Sequence, residues 1–149
     1  GAVGPPGPAG PTGDTGALAF GSLYGEINII PVTFLGSVDF TLSGPSFNVV
    51  SDPITNTITV TNAGMYIITA DIEVFSGTLQ LDISRNGILI FPQSRFGTAI
   101  PQGQRVTIGK TIQIFLNAGD VIRLTITAFT SPPLNPSYAT PVLTVTRIQ

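Results

Sequence analysis

Two carboxylates, Asp71 and Glu73, stand two residues apart in a run that alternates apolar and polar residues, so on a strand they project from the same face. A pair so placed could act as general acid and base, or begin a calcium site. No third acidic ligand is close in sequence, and a solvated strand face is the plainer alternative. The chain has no histidine and no cysteine, which removes the commonest general bases, nucleophiles and transition-metal ligands. Ser43-Gly44 and Ser76-Gly77 therefore have no base to activate their hydroxyls. Asp120, after Asn117-Ala118-Gly119, could ligate calcium, but turn chemistry alone explains an aspartate there. Arg85 and Arg95 flank a loop and could offer a small basic patch to an anionic or glycan partner, the alternative being ordinary surface charges. Phosphate-loop and dinucleotide patterns are missing, and so are Asn-x-Ser/Thr sequons, since Pro136 follows Asn135. No catalytic residue, no cofactor site and no metal site is expected.

The element that organises the chain is instead its first eighteen residues. Glycine falls at every third position, Gly1, Gly4, Gly7, Gly10, Gly13 and Gly16, with Pro5, Pro6, Pro8 and Pro11 between. Three polyproline-type helices wound together leave space at their axis only for a hydrogen side chain, so this period is what a collagen triple helix requires. A flexible Pro/Gly linker is the alternative, and it would rarely keep six glycines in register. Residue 1 is already in phase, so the stem is expected to be part of a longer repeat. Residues 1–18 are read as a stem and 19–149 as one globular head.

Charged residues are 9% of the chain, against roughly 25% in an average soluble domain. So little charge suits an obligate oligomer that hides part of its surface against itself. The formal net charge of -2 supplies no basic field for nucleic acid and no polybasic patch for an anionic membrane. No apolar run approaches the length of a membrane-spanning helix, and no signal peptide is seen. An extracellular location has to be argued from the stem, because there are no thiols from which to read a redox compartment.

The head is rich in Val, Ile, Thr and Phe and is punctuated every eight to twelve residues by Gly, Pro or Asn, which predicts many short antiparallel strands in a sandwich or barrel. Strands are expected at Ala17 to Tyr24, Ile27 to Phe34, Ser37 to Leu42, Phe47 to Ser51 and Asn56 to Thr61. Gly64 opens the longest, with Tyr66, Ile68, Ala70, Ile72 and Val74 on one face. The other face carries Met65, Ile67, Thr69, Asp71, Glu73 and Phe75. That face begins apolar and becomes acidic, which suggests that one end is covered by a neighbouring subunit. Leu79, Leu81 and Ile83 alternate with outward Gln80 and Asp82, and Asn86-Gly87 then supplies the two positive-φ residues of a tight hairpin before Ile88 to Phe91. Pro92 to Gln104 is expected to be a surface loop. Arg105 to Leu116 and Val121 to Ala128 are expected to pair as a second hairpin. Ala139 to Ile148, after a proline-rich loop at Ser131 to Ser137, should lie beside the first strand.

Two motifs then carry a family resemblance. Asn62-Ala63-Gly64-Met65-Tyr66 resembles the Gly-x-Tyr signature of C1q-like and tumour-necrosis-factor-like heads. Leu116 to Leu124, through Gly119 and Asp120, resembles the same family's Leu-x-x-Gly-Asp hairpin. With a Gly-X-Y stem in front, the whole resembles the collagen-like glycoproteins of the bacterial spore surface, the exosporium. The aliphatic ending and the lack of cysteine favour this bacterial branch over the animal C1q proteins. The resemblance implies an all-β, ten-stranded jelly roll that trimerises about a three-fold axis and nucleates the stem. It also implies O-linked sugars on Thr12 and Thr15, although only two such triplets are present.

The expected function is therefore structural display: a homotrimeric head that caps a collagen-like filament, extracellular, on a spore. Tyr66, Phe75 and Phe115 are the candidate axis residues. Other spore-coat proteins, glycans or host receptors are the candidate partners. Two alternatives share the trimeric β head. One is a recognition head that uses the loops at Pro92 to Gln104 and Ser131 to Ser137 in adhesion, and the other is a phage tail-fibre tip.

Overall fold

Residues 1–10, 18–130 and 135–149 are described in a computed structural model of the chain. Among them the only regular elements are strands, as the β-branched composition and dense turn residues predict. In chain order they are β1 (Ala19–Tyr24), β2 (Ile30–Pro31), β3 (Gly36–Ser37), β4 (Leu42–Ser43), β5 (Val49–Asp52), β6 (Thr57–Val60), β7 (Gly64–Arg85), β8 (Ile88–Leu89), β9 (Phe96–Leu116), β10 (Val121–Phe129) and β11 (Ser137–Arg147).

Two of these are long enough to serve both layers of a sandwich. The first half of β7 pairs with β11 on one side and with the second half of β9 on the other. Its second half pairs with β10 and with the start of β9. One layer is thus β4-β1-β11-β7-β9, and the other is β5-β6-β10-β7-β9. The kink in β7 lies at Ser76 and Gly77, with φ of 51° and 74°, where the pairing register with β9 also shifts. The left-handed backbone there bends the strand and inverts its alternation, as a bulge does. Tyr66, Ile68, Ala70, Ile72 and Val74 face inward before it and Leu79, Leu81 and Ile83 after it, all fully buried in one apolar cluster with Ile58, Leu116, Ile122, Leu124 and Leu143. The inward rows are those that the alternation predicted.

Several boundaries differ from the sequence reading. The strand expected over Ile27 to Phe34 reduces to the two residues of β2, since Pro31 has no N–H to extend a ladder. Ser37 to Leu42 divides into short edge pairings, β3 on β10 and β4 on β1. The expected loop at Pro92 to Gln104 is mostly strand: Phe96 to Ile100 pair with Leu81 to Gly77, and only residues 101–104 lie outside the ladder. The second hairpin does not form. β9 pairs with β7 alone, while β10 pairs with β7, β6 and β3, so the turn after Leu116 carries the chain from one layer to the other. β11 does lie beside β1, with Ala19 opposite Arg147.

Candidate functional site

The second half of β9 has no strand on its outer side among the described residues, so this edge of the sandwich is open. A groove of about 640 Å³ runs along it, lined by Ile88, Leu89, Phe91, Ile112, Ile114 and Asn117 among others. Ile88 is 74% exposed, Phe91 58% and Phe115 51%. Comparable apolar side chains, Ile27, Phe34, Phe47 and Ile54, are exposed elsewhere on the head; what sets this edge apart is that they accompany an unpaired strand, the kind of edge on which another chain can pack. The candidate axis residues separate here. Phe115 stays on the surface opposite Met65, and Phe75 is half-buried opposite Arg105. Tyr66 is fully buried inside the single chain, so it cannot face an axis between chains. Its inward position follows from lying on the same face of β7 as Ile68 and Ala70.

The expected basic patch is not free either. Arg95 Nε donates to both oxygens of Asp82, at 3.3 and 3.0 Å, while its guanidinium lies 4.3 Å over the Phe91 ring. Asp82, which alternation places on an outward face, is 0% exposed because this segment covers it. Thr127 Oγ1 donates to Asp82 Oδ2 at 2.8 Å and accepts from Gln80 Nε2 at 3.1 Å. Ser94, also fully buried, accepts from the Ile83 amide at 3.0 Å and donates back to the Ile83 carbonyl at 3.2 Å. Residues 91–95 thus strap down the end of β7. Arg85 Nη1 donates to the Phe115 carbonyl at 3.3 Å, tying the hairpin to the open edge.

Asp71 and Glu73 do share the outer face of β7, as their spacing requires. Glu73, opposite Thr107, reaches Arg105 diagonally across the ladder with an N···O separation of 3.5 Å. Asp71 lies opposite Gly109, where a Cβ would collide with its carboxylate. No three Asp, Glu, His or Cys side chains cluster among the described residues.

The two family-motif positions have structural reasons. A Cβ on Gly64 would strike the Arg147 guanidinium and the Gln149 carbonyl, and two residues on the Tyr66 hydroxyl donates to the Asn62 carbonyl at 2.8 Å. Burial pushes the Tyr66 phenol above its ordinary value, with Arg147 nearby offsetting part of that. Gly119 takes φ of 88°, and Asp120 Oδ2 accepts from the Asn117 amide at 2.8 Å. Asp120 Oδ1 accepts from Asn86 Nδ2 at 2.9 Å, so both of its oxygens are engaged in turn geometry.

No protein-family model matches the chain, and no curated protein sequence matches it. Its fold does match solved structures. The globular domain of zebrafish complement 1qA protein superposes with a TM-score of 0.70 at 14% identity, covering 88% of this chain and 98% of that one. Eiger TNF from S. frugiperda gives 0.62 at 14% identity over 88% and 94%. Murine APRIL gives 0.57 at 17% identity over 87% and 99%. The head is a C1q/TNF-like jelly roll. At such identities the likeness is one of fold, and the residues of the open edge have to be argued from their own chemistry.

Ahead of this C1q/TNF-like head, residues 1–10 are exposed and form no secondary structure. A Cβ on Gly1, Gly4, Gly7 or Gly10 would meet no atom of the chain within 4 Å. Gly13, Gly16, Thr12 and Thr15 lie outside the described residues, and so does most of the proline-rich loop at Ser131 to Ser137.

Proposed function

We propose that the chain is a non-enzymatic structural protein in which a homotrimeric C1q/TNF-like head caps and nucleates a collagen-like filament. The observation that carries this reading is the mismatch between the glycine period and its surroundings. Nothing in the chain itself crowds Gly1, Gly4, Gly7 or Gly10, yet the sequence keeps glycine at each. Two further chains at a shared axis supply the crowding that the single chain lacks. Six triplets without hydroxyproline span about 50 Å and make few interchain bonds, so the head must supply the association. Holding three stem-starts together at high effective concentration does this.

The open apolar edge of β9 and the low charge of the chain support a head that is buried against copies of itself. The resemblance of the sequence to collagen-like spore-surface glycoproteins supports an extracellular place on the exosporium. Sugars on Thr12 and Thr15, and contacts with spore-coat proteins, glycans or host receptors, belong to the same reading.

Sedimentation equilibrium of the full chain and of a version beginning at Ala19 tests it. Two trimers are expected. A monomeric shortened chain would make the stem the assembling element and overturn the head-driven account.

A further inference from the structure

The turn after β7 carries chemistry that the assembly reading does not use. Asn86-Gly87 is the chain's single Asn-Gly pair; the other asparagines precede Ile29, Val49, Thr57, Ala63, Ala118 and Pro136. An asparagine side-chain amide is open to attack by the backbone nitrogen of the next residue, and a following glycine, with no Cβ, hinders that attack least. Both residues are exposed, and a Cβ built on Gly87 would meet no atom within 4 Å, so water and hydroxide reach the pair. In the fold, however, the Asn86 side chain is held across the turn. Its Nδ2 donates to Asp120 Oδ1 at 2.9 Å, and its Oδ1 accepts from the Val121 amide at 2.9 Å. Closing a five-membered ring onto the Gly87 nitrogen requires both of these bonds to break.

We propose that Asn86 is a site of spontaneous deamidation gated by its bond to Asp120, so that a head whose turn has opened is converted to a form that no longer locks. This stands independently of the trimer reading. In the open turn hydroxide removes the Gly87 amide proton and the nitrogen bonds to Asn86 Cγ. The Cγ–Nδ2 bond then breaks and ammonia leaves, giving a succinimide. Water opens that ring to aspartate or isoaspartate, so the net change is water consumed and ammonia released, with no other reactant. Neither product fits the fold. Aspartate puts a carboxylate where the Nδ2 donor stood, against Asp120, which is buried and pairs with no cation among the described residues. Like charges so placed oppose the contact. Arg85, the adjacent cation in sequence, is engaged with the Phe115 carbonyl. Isoaspartate adds a methylene to the backbone of a two-residue turn between paired Arg85 and Ile88, and the extra atom misaligns the ladder. The reaction thus needs opening, and its product removes the path back to the locked turn.

Incubation of the full chain in mildly alkaline buffer, followed by peptide mapping with mass spectrometry, tests this. The folded chain is expected to keep Asn86, while the same chain in urea gains the amide-to-acid mass at Asn86 ahead of every other asparagine. Because the folded chain reacts only through its open fraction, Asp120→Ala should speed folded-state conversion by roughly tenfold, the change expected when an opening equilibrium loses one hydrogen bond to a charged group. If Asp120→Ala does not fold, Asp120→Asn takes its place with the same direction expected. A second readout needs no incubation. Asn86→Asp should lower the urea midpoint more than Asn86→Ala does. Asn86→Asp combined with Asp120→Asn exchanges donor and acceptor across the same bond and should recover most of that loss. Equal conversion of the folded and urea-unfolded chain, or a folded rate that the Asp120 variants leave unmoved, overturns the gating. An Asn86→Asp head as stable as the parent has a product that locks normally, which overturns the one-way step.

Discussion

Asn86 and Asp120 lock two turns that lie thirty-four residues apart. Asn86 Nδ2 donates to Asp120 Oδ1 at 2.9 Å, while Asn86 Oδ1 accepts from the Val121 amide at 2.9 Å. The Asn86 amide donates in turn to the Val121 carbonyl at 2.9 Å. With φ of 53° at Asn86 and 79° at Gly87, the hairpin turn holds the Asn86 side chain against the crossover between the layers.

Removing Asn86 should leave the buried Asp120 carboxylate short of a hydrogen bond, whereas removing Asp120 deletes the acceptor that ties exposed Asn86 to the Asn117 turn. Asn86→Ala and Asp120→Ala are each expected to destabilise by about 1–3 kcal/mol. The double variant should lose less than the sum, giving a coupling of roughly 1 kcal/mol in a double-mutant cycle. Urea unfolding at one fixed protein concentration measures this, since the apparent stability of any chain that associates depends on concentration. Additive losses would show that the two turns stand independently.

The strap over β7 gives a sharper asymmetry. Arg95→Ala removes the cation from a fully buried Asp82 and leaves it Thr127. Breaking a buried pair by deleting one member costs about 3–5 kcal/mol; the Arg95 side chain is about one-third exposed, which lowers the expectation to roughly 2–3 kcal/mol. Replacing both, as Asp82→Leu with Arg95→Met, should cost less than Arg95→Ala alone, because no charge is then stranded. Equal losses in urea melts of the two variants would mean that the strap is held by Phe91 and Ser94 rather than by the ion pair.

These two relationships also mark where the sequence is legible and where it stops. Alternation placed Tyr66 to Val74 and Leu79 to Ile83 in the core, because a strand's period of two is local and each inward residue is apolar. Asn86-Gly87 was readable because positive φ at two successive residues restricts residue type. Asp82 was not: its burial depends on residues 91–95 folding back over it, a contact between segments that no local pattern encodes. For the same reason Phe96 to Ile100 looked like loop, since glycine, threonine and proline around them hid a strand that exists because β7 needs a partner there. The crossover after Leu116 has the composition of a hairpin turn, and only the pairing partners reveal that it changes layer. At the candidate site, the single-strand pattern could not separate Tyr66, buried within one chain, from Phe115, left at its surface.

Alkaline pH should separate the folded head from the unfolded chain. Burial raises the Tyr138 phenol above its ordinary value of 10.0; the Asp39 amide that it accepts partly offsets this, and the Asp39 carboxylate adds to it. Tyr66 is raised in the same direction. A phenol that folding raises contributes stability in full below its unfolded value, and that contribution is lost as pH climbs past about 10, where the unfolded chain ionises first. Unfolding midpoints are therefore expected to hold at neutral pH and fall above about pH 10. Tyr138→Phe should flatten part of that fall. An unchanged alkaline slope in the variant would place the pH dependence elsewhere.

The stem and head should fail separately. In a lone chain a methyl group on Gly7 has open space around it, so Gly7→Ala carries no penalty that a single chain can feel. At a three-chain axis the same methyl appears three times where only hydrogen fits, and the triple helix is disrupted locally. The variant is expected to lose the triple-helical circular-dichroism signal at a lower temperature than the parent, while sedimentation still reports a trimer and the β-sheet signal melts unchanged. Ala2→Gly, outside the glycine register, serves as the matched control and should leave the trimeric head equally intact. If Gly7→Ala melts with the parent, residues 1–18 are a spacer rather than a collagen stem. If it dissociates the head as well, assembly begins in the stem, and the open β9 edge of the jelly roll is not what holds the three chains together.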